Sequence, residues 1–230
     1  MGGKLKVDIL TLFPQFFDSI FNYSILKRAC DADILDVNIF DLREYTTDRH
    51  HQADDYRFGG GAGMLLKPEP IFRAFKNIIP DVKPKPLIIY PTPQGIPFNQ
   101  DVADELSKET HLVFLCGHYK GVDQRVIERW VDREYSLGDY VLTGGEIAAA
   151  VMVDSAVRMI PGVLGDIDSA LDDSFRHNLL DCPHYTRPEN LNGLSVPGVL
   201  LSGHHRNIAL WRKITAQFLT KKRRPELNKK

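Results

Sequence analysis

LTGGEIAAAVMVD, residues 142–154, sets two glycines directly before a long apolar run rich in alanine. A glycine turn that opens a helix is a common way for a chain to bring its backbone close to a nucleotide. The phosphate-binding versions of such a turn also carry a lysine or a third glycine nearby, and this stretch carries neither. The stretch thus poses the question of which nucleotide it would hold.

Outward from it, strands and helices alternate. The short apolar runs KVDILTLF (6–13), ILDVNIF (34–40), PLIIYP (86–91) and HLVFLC (111–116) read as strands. Helices are predicted over 16–21, 24–33, 68–78, 100–108 and 122–131, with Pro68 at a first helical position and Asn99 as a cap. This rhythm predicts an α/β domain with a largely parallel sheet. Three glycine-bearing turns each follow a strand-like run: YPTPQG (90–95), CGHYKG (116–121) and YSLGDYVLTGG (135–145). In open α/β sheets the carboxyl ends of the strands line the ligand crevice. The three turns would converge on a pocket of backbone donors and acceptors with Tyr90, Tyr119 and Tyr140 nearby. Such a pocket suits an adenine ring and ribose better than a polyphosphate.

Two stretches break the rhythm. Residues 41–63, DLREYTTDRHHQADDYRFGGGAG, lack periodicity and are too long for an ordinary connection, which points to a functional loop. Within it, RFGGGAGM (57–64) reads either as an anion cradle helped by Arg57 and Lys67 or as a flexible surface loop. It is neither a P-loop nor a dinucleotide fingerprint, because the required lysine and third glycine are missing. Residues 161–176, PGVLGDIDSALDDSFR, read as a mobile linker, and one clear helix is predicted from about His205 to Phe218. The expected division is an α/β cofactor domain over 1–164, a linker over 165–172 and a small, basic, helical domain over 173–230.

At 230 residues and 43% hydrophobic content, a sizeable core can be buried. No run of about 18 apolar residues suggests a membrane span, and the N-terminus lacks a signal-peptide pattern, so a cytoplasmic protein is expected. Cys30, Cys116 and Cys182 make no disulfide framework. Cys116 with His118 and Cys182 with His184 lack finger-like spacing, so no structural zinc site is assigned. The net charge of −1 hides an asymmetry: from His204 to Lys230 there are nine Lys/Arg and one acid, Glu226. That basic end reads as a nucleic-acid footprint or as a solvated terminus.

Taken together, ILTLFP (9–14), FGGGAGM (58–64), SLGDYVLTGGE (136–146), IPGVLG (160–165), DSF (173–175), LLDCPHYTRPE (179–189), SGHH (202–205) and RRPEL (223–227) closely resemble the bacterial tRNA guanine-N1 methyltransferases of the SPOUT superfamily. The resemblance spans nearly the whole chain. It implies a homodimer that uses S-adenosylmethionine to methylate N1 of the guanosine 3′ of the anticodon when another guanosine precedes it. It also implies a deep trefoil knot in the cofactor loops, which periodicity alone would have replaced with an ordinary doubly wound sheet.

Carried over by position, the resemblance implies that Tyr90, Pro91, Thr92, Pro93 and Gly95 hold the cofactor together with Gly117, Tyr119 and Gly121. It adds Ser136, Leu137, Gly138, Asp139, Tyr140, Val141 and Leu142, with Gly144 and Gly145, and sets Asp181 near the methionine end. Guanine N1 carries a proton at neutral pH, so the chemistry needs a base to remove it and a donor for charge growing on O6. The match assigns Asp173 as base and Arg158 as donor, the base coming from the subunit opposite the cofactor. Each alone reads blandly, Asp173 as a helix cap and Arg158 as a surface arginine ending a helix. Arg49, His50, His51 and Arg57, with Lys221, Lys222, Arg223 and Arg224, are the expected tRNA contacts. Magnesium enters through the resemblance as a second cofactor, yet no carboxylate cage stands out and no metal ligand is assigned. The chain departs from the family pattern at His118 and Lys120, where arginine and glutamate are usual, and at Arg57 and Ala148, where proline is common. Two other readings compete: a tRNA-binding protein of the same fold without turnover, and a nicotinamide-dependent oxidoreductase. The second is disfavoured because no GxGxxG opens a helix after an early strand.

Overall fold

The computed structural model describes residues 4–79, 83–165, 173–175 and 178–229. The chain forms two compact units, Met1–Gly165 and Asp166–Lys230. The linker expected at 165–172 lies, except for Gly165, outside the described residues.

The first unit is built on β1 (Leu5–Thr11), β2 (Leu35–Asp41), β5 (Leu87–Pro97), β6 (His111–Leu115) and β7 (Arg133–Ser136). They form one sheet in the order β2-β1-β6-β5-β7, with every pairing parallel. Side chains alternate across it: Val7, Ile9, Leu112 and Phe114 join one buried cluster, and Leu10, Val113 and Leu115 join the other. Helices α1 (Asp18–Phe21), α2 (Ser24–Asp31), α4 (Gln100–Leu106) and α6 (Glu146–Val157) pack on the first face. Helices α3 (Pro68–Ile78) and α5 (Gln124–Trp130) pack on the second. Burial on both faces explains the near-continuous apolar strands. The one acid facing the core of β1, Asp8, is fully buried. Burial opposes its ionisation, but bonds from His111 (2.7 Å), Asn38 (2.9 Å) and Lys6 (3.0 Å) prevail and hold its pKa below the usual value.

Local signals set the element ends. Pro68 occupies the start of α3, and the Asn99 side chain accepts from Val102 N–H at 3.0 Å to cap α4. Strand β5 sits between β6 and β7, and the chain passes from β5 to β6 before crossing to β7. That reversal makes a switch point at the carboxyl end of β5, where a crevice opens. There β5 also shifts register against β7, with Tyr135 opposite both Pro91 and Ile96, so residues 92–95 loop out of the ladder.

Several elements differ from expectation. The aperiodic stretch 41–63 contains a short 3-10 turn, Leu42–Tyr45, and the strand β3 (Asp54–Tyr56), which forms an antiparallel hairpin with β4 (Met64–Leu66). Three-residue strands with two acids in one of them leave no periodic trace. In the second unit a hairpin, β8 (Asn190–Leu191) and β9 (Leu194–Ser195), turns through Asn192-Gly193 with φ of 51° and 84°, the left-handed pair that tight hairpins require. Helices α7 (Gly198–Leu201) and α8 (His205–Arg223) follow. Helix α8 runs past Phe218 because Lys and Arg are good helix formers and Thr220 is buried, bonding Ala216 O at 2.7 Å and Leu180 N–H at 2.8 Å. Among the described residues no helix is long and apolar enough to cross a membrane.

Candidate active site

A cleft of about 320 Å³ opens at the carboxyl ends of β5, β6 and β7. It is lined by Tyr90 to Gln94, Gly117 to Gly121, Tyr135 to Gly138 and Tyr140 to Gly145, with Ala148 at the start of α6. The three glycine-bearing turns therefore meet, and nearly all the residues expected around a cofactor share one wall. Gly95 and Asp139 are outside the lining, and Asp181 belongs to the second unit. Gly95 lies against the sheet: a Cβ there would lie 2.4 Å from Tyr135 N, so only glycine lets β5 rejoin β7. Gln94, His118, Lys120, Tyr135, Thr143 and Ala148 line the cleft without having been singled out as ligands by sequence.

The chain that follows β7 returns across the turn after β6. His118 and Gly144 form an antiparallel bridge, and Gly145 N–H donates to Gly117 O at 2.9 Å. A Cβ on Gly145 would lie 2.9 Å from Cys116 Cα and 3.0 Å from Gly117 N. Gly145 is thus demanded by this crossing of backbones, and Gly144 by the side chains of His118 and Glu146, which a Cβ there would strike. Tyr119, at the rim, holds a left-handed φ of 60°, a strain that clusters at functional turns.

A buried polar network fastens the crossing. Glu146, the first residue of α6, is 4% exposed. Its Oε1 accepts from Thr11 Oγ at 2.6 Å, and its Oε2 is bonded to His118 Nε2 at 2.9 Å. Thr11 Oγ in turn accepts from Phe13 N–H at 2.9 Å, and the Phe13 ring packs on His118 at 4.7 Å, tilted by 58°. A carboxylate at a helix N-terminus is favoured by the helix dipole, which helps to keep Glu146 buried. His118, one of the departures from the family pattern, is therefore part of this lock.

Burial, with help from the Glu134 charge, pushes Tyr90 up to about 12, so its phenol stays neutral at any working pH. Burial also raises the Cys116 thiol well above its ordinary value, which makes it an inert core residue.

Arg158 caps the C-terminal end of α6 and is half-buried in the first unit. Asp173 is exposed at a bend in the second unit. Burial opposes the Asp181 charge, but a 2.7 Å bond to His184 and a 2.6 Å bond from Cys182 N–H hold its pKa low. Asp181, Cys182 and His184 bring an oxygen, a sulfur and a nitrogen within 4.8 Å of one another. Arg49 and His50 lie on an exposed loop folded around Asp48, whose carboxylate accepts from Gln52 and His50 N–H at 3.1 and 3.0 Å. Arg57 folds onto the tip of the β3–β4 hairpin through Gly60 O at 2.7 Å. Lys221, Lys222 and Arg223 end α8 in solvent, while Arg224 pairs with Glu226 and lies 5.5 Å over the Phe175 ring.

A parallel α/β sheet with a cleft of glycine turns at its switch point defines an open α/β ligand-binding domain. The model of the tRNA (Guanine-1)-methyltransferase TrmD family matches residues 5–230, and the chain belongs to that family. It is 53% identical to a tRNA (guanine-N(1)-)-methyltransferase of Carboxydothermus hydrogenoformans, covering 98% of this chain and 88% of the relative. Relatives of the same name from Staphylococcus carnosus and Bacillus cereus are 51% and 49% identical, each over 97% of this chain and 90% and 91% of their own length.

Proposed function

We propose that this protein methylates N1 of the guanosine 3′ of the anticodon in tRNA, using S-adenosylmethionine. The observation that carries the reading is the meeting of the turns after β5, β6 and β7 in one cleft without phosphate hardware, in a chain of this family. S-adenosylmethionine has an adenosine and a sulfonium but no phosphate, and a cleft of about 320 Å³ falls within the range of small-ligand sites. The backbone groups of Ser136 to Leu142 and of Gly117 to Gly121 would hold the adenosine, with the neutral Tyr90 phenol offering a hydrogen bond but no charge. When bound, the cofactor supplies an electrophilic methyl group. Asp173 would take the N1 proton and so free the N1 lone pair for methylation. Arg158 stabilises the charge that grows on O6. Asp181 belongs near the methionine end.

The same reading threads the cofactor loops into a deep knot. The return of 144–145 across 117–118 and the close passage of Gly95 by β7 support it. It makes the protein a homodimer, which is supported by Ile147 and Val151 on the largely apolar α6, 44% and 41% exposed one turn apart. It assigns the second unit, with Lys221 to Arg224, and the loop of Arg49, His50 and Arg57 to tRNA, and it sets the enzyme in the cytoplasm. A methyl-transfer assay on one tRNA and its guanosine replacements, with the product mapped, tests the reading. Methylation at N1 of that guanosine and its loss on replacement are expected; RNA binding without transfer would favour a binding protein of the same fold.

A further inference from the structure

Among the described phenylalanine, tyrosine and tryptophan side chains, the two most exposed flank the tip of the β3–β4 hairpin: Phe58 is 99% exposed and Tyr56 82%. Between them Arg57 is exposed as well, its guanidinium held by Gly60 O. The tip is shaped by Gly59 and Gly60, with φ of 83° and 74°, and a Cβ on either would meet nothing within 4 Å. Glycine costs conformational entropy on ordering, and no packing within the fold offsets it at this tip. Two aromatic rings in water likewise gain nothing from folding.

The base of the hairpin is tied to the cleft. Lys120 N–H donates to Met64 O and Leu66 N–H to Gly121 O, both at 3.0 Å, and Asp123 N–H reaches Leu66 O at 3.2 Å. The Lys120 side chain lies against Gly63. The aromatic tip is therefore anchored to the turn that carries Tyr119 on the cleft wall. Aromatic rings flanking an arginine are the means by which proteins hold unpaired bases, since every base offers a face to stack on and the arginine adds charge.

From these observations, and resting on the reading of the chain as a tRNA-modifying enzyme, we infer that Tyr56 and Phe58 form a stacking platform for unpaired loop bases of the RNA. The platform would hold the nucleotides beside the target guanosine while the tethered turn lines the methyl-transfer cleft. Its contribution is affinity and placement of the loop rather than phosphate neutralisation.

The test is binding of a synthetic anticodon stem-loop RNA across a salt series, with cofactor titration in parallel. Phe58→Ala and Tyr56→Ala should each weaken RNA binding about tenfold, the scale of one lost base stack. The salt slope should stay at the wild-type value, because stacking releases no counterions, whereas Arg57→Ala should lower it. Phe58→Trp should keep the affinity and show indole quenching on RNA addition. Cofactor affinity should not move in any of them. RNA affinities within about twofold of wild type for both alanine variants would overturn the proposal. So would a change of oligomeric mass in place of RNA affinity, which would make the tip a protein contact. Methyl transfer by the wild-type chain is scored separately: its absence would count against the catalytic reading and leave the RNA comparison to decide the role of the rings.

Discussion

Gly144-Gly145 and Gly59-Gly60 are both glycine pairs in motifs of the same family resemblance, and they are glycine for opposite reasons. At Gly145 a side chain would strike the backbone of Cys116 and Gly117, and the pair sits above the buried Glu146, Thr11 and His118 lock. At Gly59 and Gly60 a side chain would meet open space, and only the left-handed φ asks for glycine. The first pair lets two strands of chain cross; the second holds aromatic rings away from the body. A glycine-rich motif in sequence therefore does not by itself say whether backbone or ligand sets the demand. The structure separates the two by what surrounds the missing Cβ.

That contrast can be broken at three points. Gly145→Ala forces an added carbon against backbone that cannot step aside, so stability should fall by about 3 kcal/mol and cofactor binding should be lost. Urea unfolding and titration calorimetry would read both, and a fully stable variant would show that the crossing has room. Glu146→Gln keeps the shape of the lock and removes its charge. A loss of about 1–2 kcal/mol is expected, together with weaker cofactor affinity, since the turn at Gly144 leans on His118. Gly60→Ala should cost only the left-handed penalty of about 1 kcal/mol and leave cofactor affinity equal to wild type. Equal losses for Gly60→Ala and Gly145→Ala would erase the distinction.

Four of the five strands of the sheet, β1, β2, β5 and β6, were legible as apolar runs, whereas β7, REYS, begins with Arg133 and Glu134 and was not among the runs read as strands. Pro68 and Asn99 marked helix starts through local chemistry that needs no tertiary information. The hairpin of β3 and β4 was not legible: DDY is polar and exposed, and three residues carry no period. Strand β5 ran past its expected end because Pro93 and Pro97 argue against a strand, yet the ladder shifts register around them. At the site, the glycine turns announced themselves, and the sheet topology brought them together. The lock beneath them could not be read, because Thr11 and Glu146 are 135 positions apart and His118 and Glu146 are 28 apart. Gly95 was legible as special, but its close approach to the backbone of β7 was not, because Tyr135 lies forty positions further on.

In the proposed reaction the cleft holds a methyl donor and Asp173 removes the guanine proton. Asp173→Asn separates the two halves of it. S-adenosylmethionine should bind this variant with nearly the wild-type affinity, while methyl transfer to unmodified tRNA falls by at least about 100-fold. Near-normal turnover by Asp173→Asn would contradict the account.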